Sequence, residues 1–453
     1  MTGATSPRIL RAQVAGRSKQ LVSLAAAALV ALYAVSRLQG LTGANAGLAL
    51  VYVAGLGMIV WDLVVSCGDR RKEPSAPEQR ALDGLRVVAL VPAYNEDESA
   101  LRDCLASLVR QSRRLDAICV TDDGSTTGDY GSVRPWFEAA CAERGITAHW
   151  IRQENGGKRR AQVAGVHRER TADVYLTVDS DTILDPEAVA QGLRPFADAS
   201  VQSVAGVVLT ANYRTNVLTR LQELWFTTMQ LVGRGALSRM GAVQVNCGGL
   251  ALYRAPVVLD NLDVYVSETC MGRPMHASDD SLLTLFALRR GRAVQQVTAF
   301  AFTLMPTTFS HYRRQQLRWL RGSTVRSAWR LRYLPTGRFA FWHHLARWAQ
   351  YGAVIALFVA LAVSGALFSG PLLLWSLAVV ASVQLVLATP YLALRRNDQS
   401  TLERLVVFAT APLLGVWQLT VMRVLRWYAM LTFPRVAAGW GTRGRVEVAA
   451  LGS

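Results

Sequence analysis

Residues 85–97 read LRVVALVPAYNED. The first ten are a short apolar run rich in β-branched valine. That is the pattern of a strand buried on both faces of a parallel sheet. The run turns polar at Tyr94, Asn95 and Glu96. The next stretch, DESALRDCLASLVRQ (97–111), carries apolar residues at helical spacing. DAICVTDDGS (116–125) and DVYLTVDSDT (173–182) repeat the strand pattern, and each ends in acids. Strand, helix, strand and a late acidic strand predict an α/β domain with a mostly parallel central sheet over residues 85–330. In such sheets ligands sit outside the carboxyl ends of the strands. PAYNED, TDDGS and DSDT all fall there. No internal repeat interrupts this domain.

The flanks differ in composition. The 453-residue chain is 51% hydrophobic and 18% charged, below the roughly 25% charged residues of an ordinary soluble domain. The excess apolar residues form runs at both ends. LVSLAAAALVALYAV (21–35) and AGLALVYVAGLGMIVWDLVVS (46–66) each approach the roughly 20 residues of a helical span. A signal peptide is the alternative for the first run. A second run so close behind it, and no clear small-residue cleavage site, favour a membrane hairpin over 20–67. Arg8, Arg11, Arg17 and Lys19 before the hairpin and CGDRRKE (67–73) after it place the 1–19 segment, the 68–84 linker and the middle domain in the cytoplasm.

Past the domain, TGRFAFWHHLARWAQ (336–350) mixes aromatic and basic residues. It predicts an amphipathic helix on the membrane surface over 331–350, with an ordinary domain helix as the alternative. YGAVIALFVALAVSGALF (351–368) and PLLLWSLAVVASVQLVLATPYLAL (371–394) read as spans, and Arg395–Arg396 mark a cytoplasmic return. Residues 402–431 are long for one span and short for two. Read as a tight hairpin, they bring the 351–431 region to three to four crossings and leave the basic 432–453 tail in the cytoplasm. The expected location is a multi-pass cell-membrane protein. The six cysteines lack metal-ligand spacing and are expected as free thiols. The formal charge of +17 suits a lipid bilayer or a phosphate-bearing substrate. Charge alone would allow nucleic acid, and the spans argue against it.

Several motifs carry chemistry. Asp179 and Asp181 lie two residues apart at a strand end, where both can reach one cation. Carboxylate oxygens suit Mg²⁺ or Mn²⁺ shared with a phosphate; a solvated strand end is the plain alternative. Asp122 and Asp123 precede Gly124 and can bond a nucleobase or ribose, or simply form a turn. ENGGKRRA (154–161) can present backbone N–H groups and Lys158 to an anion, or be a plain loop. Asp279 and Asp280 open an apolar helix, as caps or with one as a general base. In RRQQLRW (313–319), helical spacing puts Gln315, Arg318 and Trp319 on one face. Arg318 can hold a diphosphate and Trp319 can stack on a sugar. An amphipathic helix with a buried Trp is the structural alternative.

In this order, PAYNE, DDGS, DSD, SDD and QQLRW resemble the processive family-2 glycosyltransferases, membrane-embedded synthases of hyaluronan, chitin and cellulose. NGGKRRA, NCGGLALYR (246–254), the double Gln of QQLRW and the tail WYAMLTFPRVAAGWGTR (427–443) narrow the resemblance to the hyaluronan synthase and rhizobial chitin-oligosaccharide synthase branch, over about residues 85–445. The resemblance implies a GT-A-type fold between transmembrane helices. It puts Tyr94, Glu96, Asp122 and Asp123 at the uridine, Lys158 near the nucleotide, and Asp179 and Asp181 at the nucleotide and metal, with Asp181 the direct ligand. Asp280 is the implied base, with Asp279 beside it. Cys247 lies near the acceptor; Gln315, Arg318 and Trp319 border the diphosphate and acceptor sugar. Trp440 to Arg443 lie near the active site on the cytoplasmic side.

Two departures stand out. Ser278 and Ser281 flank the acid pair where the branch has Gly and Arg, and Asn246 replaces a Cys. They bear on the choice of sugar. The implied reaction is inverting, metal-dependent transfer from UDP-sugars to a growing polysaccharide, needing no protein partner. UDP-N-acetylglucosamine and UDP-glucuronate (hyaluronan) come first, a chitin-like polymer second, a glucan third. A non-processive lipid glycosyltransferase and a transporter with a nucleotide-binding domain are the rivals.

Overall fold

The computed structural model describes residues 9–38, 46–69, 72–126, 128–275, 277–365 and 370–437. Trp440 to Arg443 lie outside the described residues.

In chain order the strands are β1 Ala12–Val14, β2 Val87–Ala93, β3 Ala117–Asp122, β4 Thr147–Arg152, β5 Val174–Thr177, β6 Thr182–Leu184, β7 Val201–Thr210, β8 Ala251–Arg254, β9 Thr269–Cys270, β10 Arg273–Pro274, β11 Arg292–Thr303 and β12 Leu394–Arg396. Eight of them form one sheet, ordered β4-β3-β2-β5-β8-β7-β11-β6. It is parallel from β4 through β5 and again between β7 and β11. β8 runs antiparallel to β5 and β7, and β6 antiparallel to β11. The sheet is therefore mixed around a parallel half. The reversal of β8 has a consequence. Ala251, its first residue, pairs with Thr177, the last of β5. The segment that leads into β8 thus lies at the carboxyl ends of β2, β3 and β5.

β2 shows why the opening run is a strand. Val87, Ala89 and Val91 enter one core with Leu101, Leu105 and Leu108 of the Glu98–Val109 helix. Val88 and Leu90 enter a second core with Val166, Leu283 and Phe286. Every residue of β2 is buried. At about 1.5–3 kcal/mol for a fully buried aliphatic side chain, both faces hold the strand in place.

Three helices among the described residues are long and apolar enough to cross a membrane: Phe339–Val363, Ser376–Ala393 and Thr401–Leu431. Two expectations change here. The 336–350 segment does not form a surface helix of its own; Phe339–Val363 is one continuous helix. Its basic and aromatic residues are the first turns of a span-length helix. Nor does 402–431 turn back as a hairpin. Thr401–Ala409 breaks off at Thr410 and resumes at Ala411 with Pro412 in its first turn, then runs on through a π-helical stretch at Gln418–Met422. Proline at that position is compatible with a helix restarting in much the same direction.

Arg395 is exposed, but Arg396 is fully buried between Glu223 (2.9 Å) and Asp398 (2.7 Å). Half of the basic pair read as marking a cytoplasmic return is thus an internal ion pair. β12, which carries both residues, pairs with β1 near the N-terminus. All six cysteines are unpaired.

Candidate active site

The acidic motifs converge at the carboxyl ends of β2, β3 and β5. Glu96 follows β2, and its Oε2 accepts a hydrogen bond from Ser180 Oγ at 2.6 Å. Ser180 lies between Asp179 and Asp181, so the PAYNE and DSD motifs are joined directly. Tyr94 is half-buried just past β2. Asp122 ends β3; it accepts from Ser125 N at 2.8 Å and lies 3.5 Å from Arg152 Nη1.

Asp123 corrects one expectation. Its carboxylate accepts from Gly156 N at 2.9 Å, Gly157 N at 2.8 Å and Gln153 Nε2 at 2.7 Å. The glycine-loop N–H groups thus face a carboxylate of the chain itself rather than an open anion site. The close approach explains Gly124, at φ +76°, where a Cβ would come within 2.8 Å of Asn155 N. Gln153 was not singled out from sequence; its place just before ENGGK was the available signal.

Lys158 is the hub. Its Nζ contacts Asp179 Oδ1 at 2.6 Å and Asp279 Oδ2 at 2.9 Å. Burial opposes its charge, but the two carboxylates outweigh burial and hold its pKa well above the usual lysine value. Asp279 is also desolvated, yet Lys158 keeps its pKa below the ordinary carboxylate range. Asp280 behaves in the opposite way. Burial, then the charge of Asp279, raise it to about 6. Two neighbouring acids driven apart in pKa are the pattern of an anchor beside a base. Ser281 N donates to Asp280 Oδ1 at 2.6 Å, and Thr284 Oγ1 to its backbone oxygen at 2.7 Å.

The NCGG segment enters beside this junction. A Cβ on Gly248 would stand 3.0 Å from Asp179 Oδ2 and 3.1 Å from Lys158 Nζ. Glycine is what lets the backbone approach. Burial raises the Cys247 thiol to about 11, which keeps it protonated at neutral pH.

Asp181 has its own set of contacts. Its Oδ1 takes hydrogen bonds from Thr182 and Thr303 hydroxyls at 3.3 Å each, and it borders a cavity of about 270 Å³ with Asp103, Arg214 and Asp398. Thr303, at the end of β11, carried no sequence signal. Among the described residues, no group of three or more His, Cys, Asp or Glu is placed to hold a metal. The donor set still fits a hard divalent ion that takes its other ligands from a substrate phosphate, as Mg²⁺ commonly does with one or two carboxylates.

Gln315, Arg318 and Trp319 lie on the Phe309–Tyr333 helix. Trp319 packs against Phe226, with ring centroids 5.7 Å apart and planes inclined by 54°. Gln315 Oε1 is buried without a hydrogen-bond partner. Gly322, one turn beyond Arg318, faces Ser278; a Cβ there would lie 2.3 Å from Ser278 Oγ. This contact brings the helix to the turn that carries Asp279 and Asp280.

Comparison with known proteins gives the family. The model of Glycosyl transferase family 2 matches residues 88–261, and that of Glycosyl transferase family group 2 matches 175–433. The chain belongs to the family-2 glycosyltransferases. A hyaluronan synthase of Streptococcus pyogenes serotype M1 is 31% identical to this transferase over 366 residues, 80% of the chain and 84% of the relative. An N-acetylglucosaminyltransferase of Sinorhizobium fredii is 35% identical over 252 residues, 55% of the chain and 60% of the relative. The transferase thus falls in the hyaluronan synthase and chitin synthase branch. A solved mannosyltransferase of Pyrobaculum calidifontis, in complex with GDP-Man and Mn²⁺, shares the fold. Its TM-score is 0.52 at 19% identity, covering 88% of this chain and 99% of that one.

Proposed function

We propose that this sugar-transferring enzyme is a membrane-embedded, processive, inverting synthase. It takes UDP-sugars at the cytoplasmic face and builds a β-linked polysaccharide. The observation that carries the reading is Lys158, which binds Asp179 of the DSD pair and Asp279 at once. One ammonium thereby joins the strand end suited to a nucleotide diphosphate to the turn that bears Asp280.

In the reaction, Asp280 takes the proton of the acceptor hydroxyl as that oxygen attacks the anomeric carbon. The bond to UDP breaks on the opposite face, which inverts the configuration. Lys158 and Arg318 hold the departing diphosphate. Asp179 and Asp181 would hold Mg²⁺ or Mn²⁺, which when bound neutralises charge developing on the leaving group. Trp319, braced by Phe226, stacks on the acceptor sugar. The span-length helices next to the domain give the polymer a route across the bilayer, with the transferase as a multi-pass cell-membrane protein.

Hyaluronan, from UDP-N-acetylglucosamine and UDP-glucuronate, is the first product. It is supported by the similarity to the streptococcal synthase. A chitin-like polymer is the second reading. It is supported by the similarity to the rhizobial N-acetylglucosaminyltransferase, and Ser281, which stands where the branch carries Arg, leaves the choice of sugar to the donors themselves. The test is incubation of the purified chain with each UDP-sugar alone and in pairs, reading UDP release and product length. Long product only with both donors is the expected result. Long product from UDP-N-acetylglucosamine alone selects chitin, and a one-sugar product sinks processivity.

A further inference from the structure

Glu268 stands outside every motif used above. It lies at the root of the β9–β10 hairpin, ten residues before Ser278. Its carboxylate accepts from Arg326 Nη1 at 2.8 Å and Nη2 at 3.0 Å, and from Trp329 Nε1 at 2.7 Å. Arg159 Nη1 lies 2.8 Å from its second oxygen. All three charged side chains are nearly or fully buried, with Arg326 wholly so.

The two arginines come from two different parts of the site. Arg159 directly follows Lys158. Arg326 lies two turns beyond Arg318 on the Phe309–Tyr333 helix. Both reach past Glu268 to the backbone ahead of the acid pair: Arg159 Nη2 donates to Ala277 O at 2.7 Å and Arg326 Nη2 to Ser278 O at 3.4 Å. Ser278 is held at φ +58°, a left-handed conformation that costs a non-glycine residue about 1 kcal/mol or more. Something must hold that turn in place. A buried ion triad adds little net stability over apolar packing; what it can fix is geometry.

We propose that Glu268 is a positioning residue for transfer. By clamping Arg159 and Arg326 together it fixes the 277–280 turn, and with it Asp280, against both Lys158 and the Arg318–Trp319 helix. This rests on Asp280 as the base. A base displaced by even 1 Å can lose on the order of 100-fold in rate, so a loosened clamp acts on kcat rather than on nucleotide binding.

The test uses the full-length protein in detergent or nanodiscs. Glu268→Gln is expected to lower kcat about tenfold, with the donor KM and the Kd for UDP within twofold of wild type. Because Glu268→Gln strands two buried guanidinium groups and could unfold the chain, Glu268→Gln/Arg326→Gln is made beside it. That pair keeps the buried net charge and removes the clamp. The same kcat loss at an unchanged Tm supports the proposal. Wild-type kcat in either folded variant overturns it, as does a parallel fall of kcat, UDP affinity and Tm in both. Asp280→Asn, run alongside, separates the two readings. Turnover in that variant sinks the base assignment and this inference with it. An inactive Asp280→Asn beside a full-rate Glu268→Gln sinks the inference alone.

Discussion

Lys158 sits among three carboxylates. Asp179 and Asp279 touch it, and Asp280 follows Asp279 in the same turn. Burial first, and then the charge of Asp279 that one ammonium does not fully offset, keep the proton on Asp280 to a higher pH, about 6. A general base works only when deprotonated. A raised pKa therefore means that activity is lost as pH falls through about 6 and is full above it. The kcat/KM for donor, which reports the free enzyme, should rise tenfold per pH unit below 6 and level off above. Asp279→Asn removes a neighbouring negative charge that holds the proton on Asp280, so the residual activity of that variant should show the same limb at lower pH. A wild-type limb centred below pH 5 would exclude Asp280 as the titrating group. The acid pair itself was legible, because SDD precedes an apolar helix. Which of the two is the base came only from the family resemblance; the electrostatic difference between them depends on burial and on Lys158, about 120 residues earlier. Asp123 repeats the lesson: the residue was visible in DDGS, but its grip on Gly156 and Gly157 needs β3 and the glycine loop side by side.

Elements announced themselves where their pattern was local. The VVALVPA strand and the QQLRW helix follow from period and composition, since each residue's face is set within a few positions. The antiparallel entry of β8 was hidden, because strand direction depends on how the chain returns to the sheet. The Phe309–Tyr333 helix shows how one element serves several tasks. Gly322 gives way to Ser278, Arg326 grips Glu268, and Arg330 Nη2 donates to Gln244 O at 2.7 Å. Gly322 is the informative position. Glycine costs a helix about 1 kcal/mol relative to alanine, so its presence reflects the contact, not the helix. Gly322→Ala should leave Tm unchanged or slightly higher. Yet its Cβ would meet Ser278 Oγ at 2.3 Å and Ser278 Cβ at 3.2 Å, displacing the acid turn. A fall in kcat of roughly three- to tenfold without loss of stability is expected from UDP-release assays beside thermal melts. Full activity would mean that Ser278 can move aside without moving Asp280.

For the whole molecule, the question is how the helices after the domain meet the membrane. Hydropathy alone gives three candidate crossings, and three would leave the end of the last helix on the far side. The packing argues otherwise. The 394–398 segment returns to the domain: Arg396 is buried against Glu223, Tyr213 OH donates to Asp398 O at 3.0 Å, and Arg214 pairs with Glu403 at 2.5 Å. The helix that starts there stays in contact along its length. Leu414 joins the core of Leu221 and Leu224, and Trp417 Nε1 donates to Tyr312 OH at 3.2 Å. At its far end Arg321 Nε donates to Thr432 Oγ1 at 3.1 Å. A helix whose two ends both touch one domain is expected to lie along that domain, with its apolar outer face at the bilayer surface. Single cysteines in a cysteine-free background test this with a membrane-impermeant thiol reagent on intact cells. Ser364→Cys, between the two preceding helices, should label from outside. Gln399→Cys and Thr432→Cys should label only after permeabilisation. Labelling of Thr432→Cys from outside, with Gln399→Cys still protected, would show that the helix crosses and that its contacts with the domain give way in the membrane.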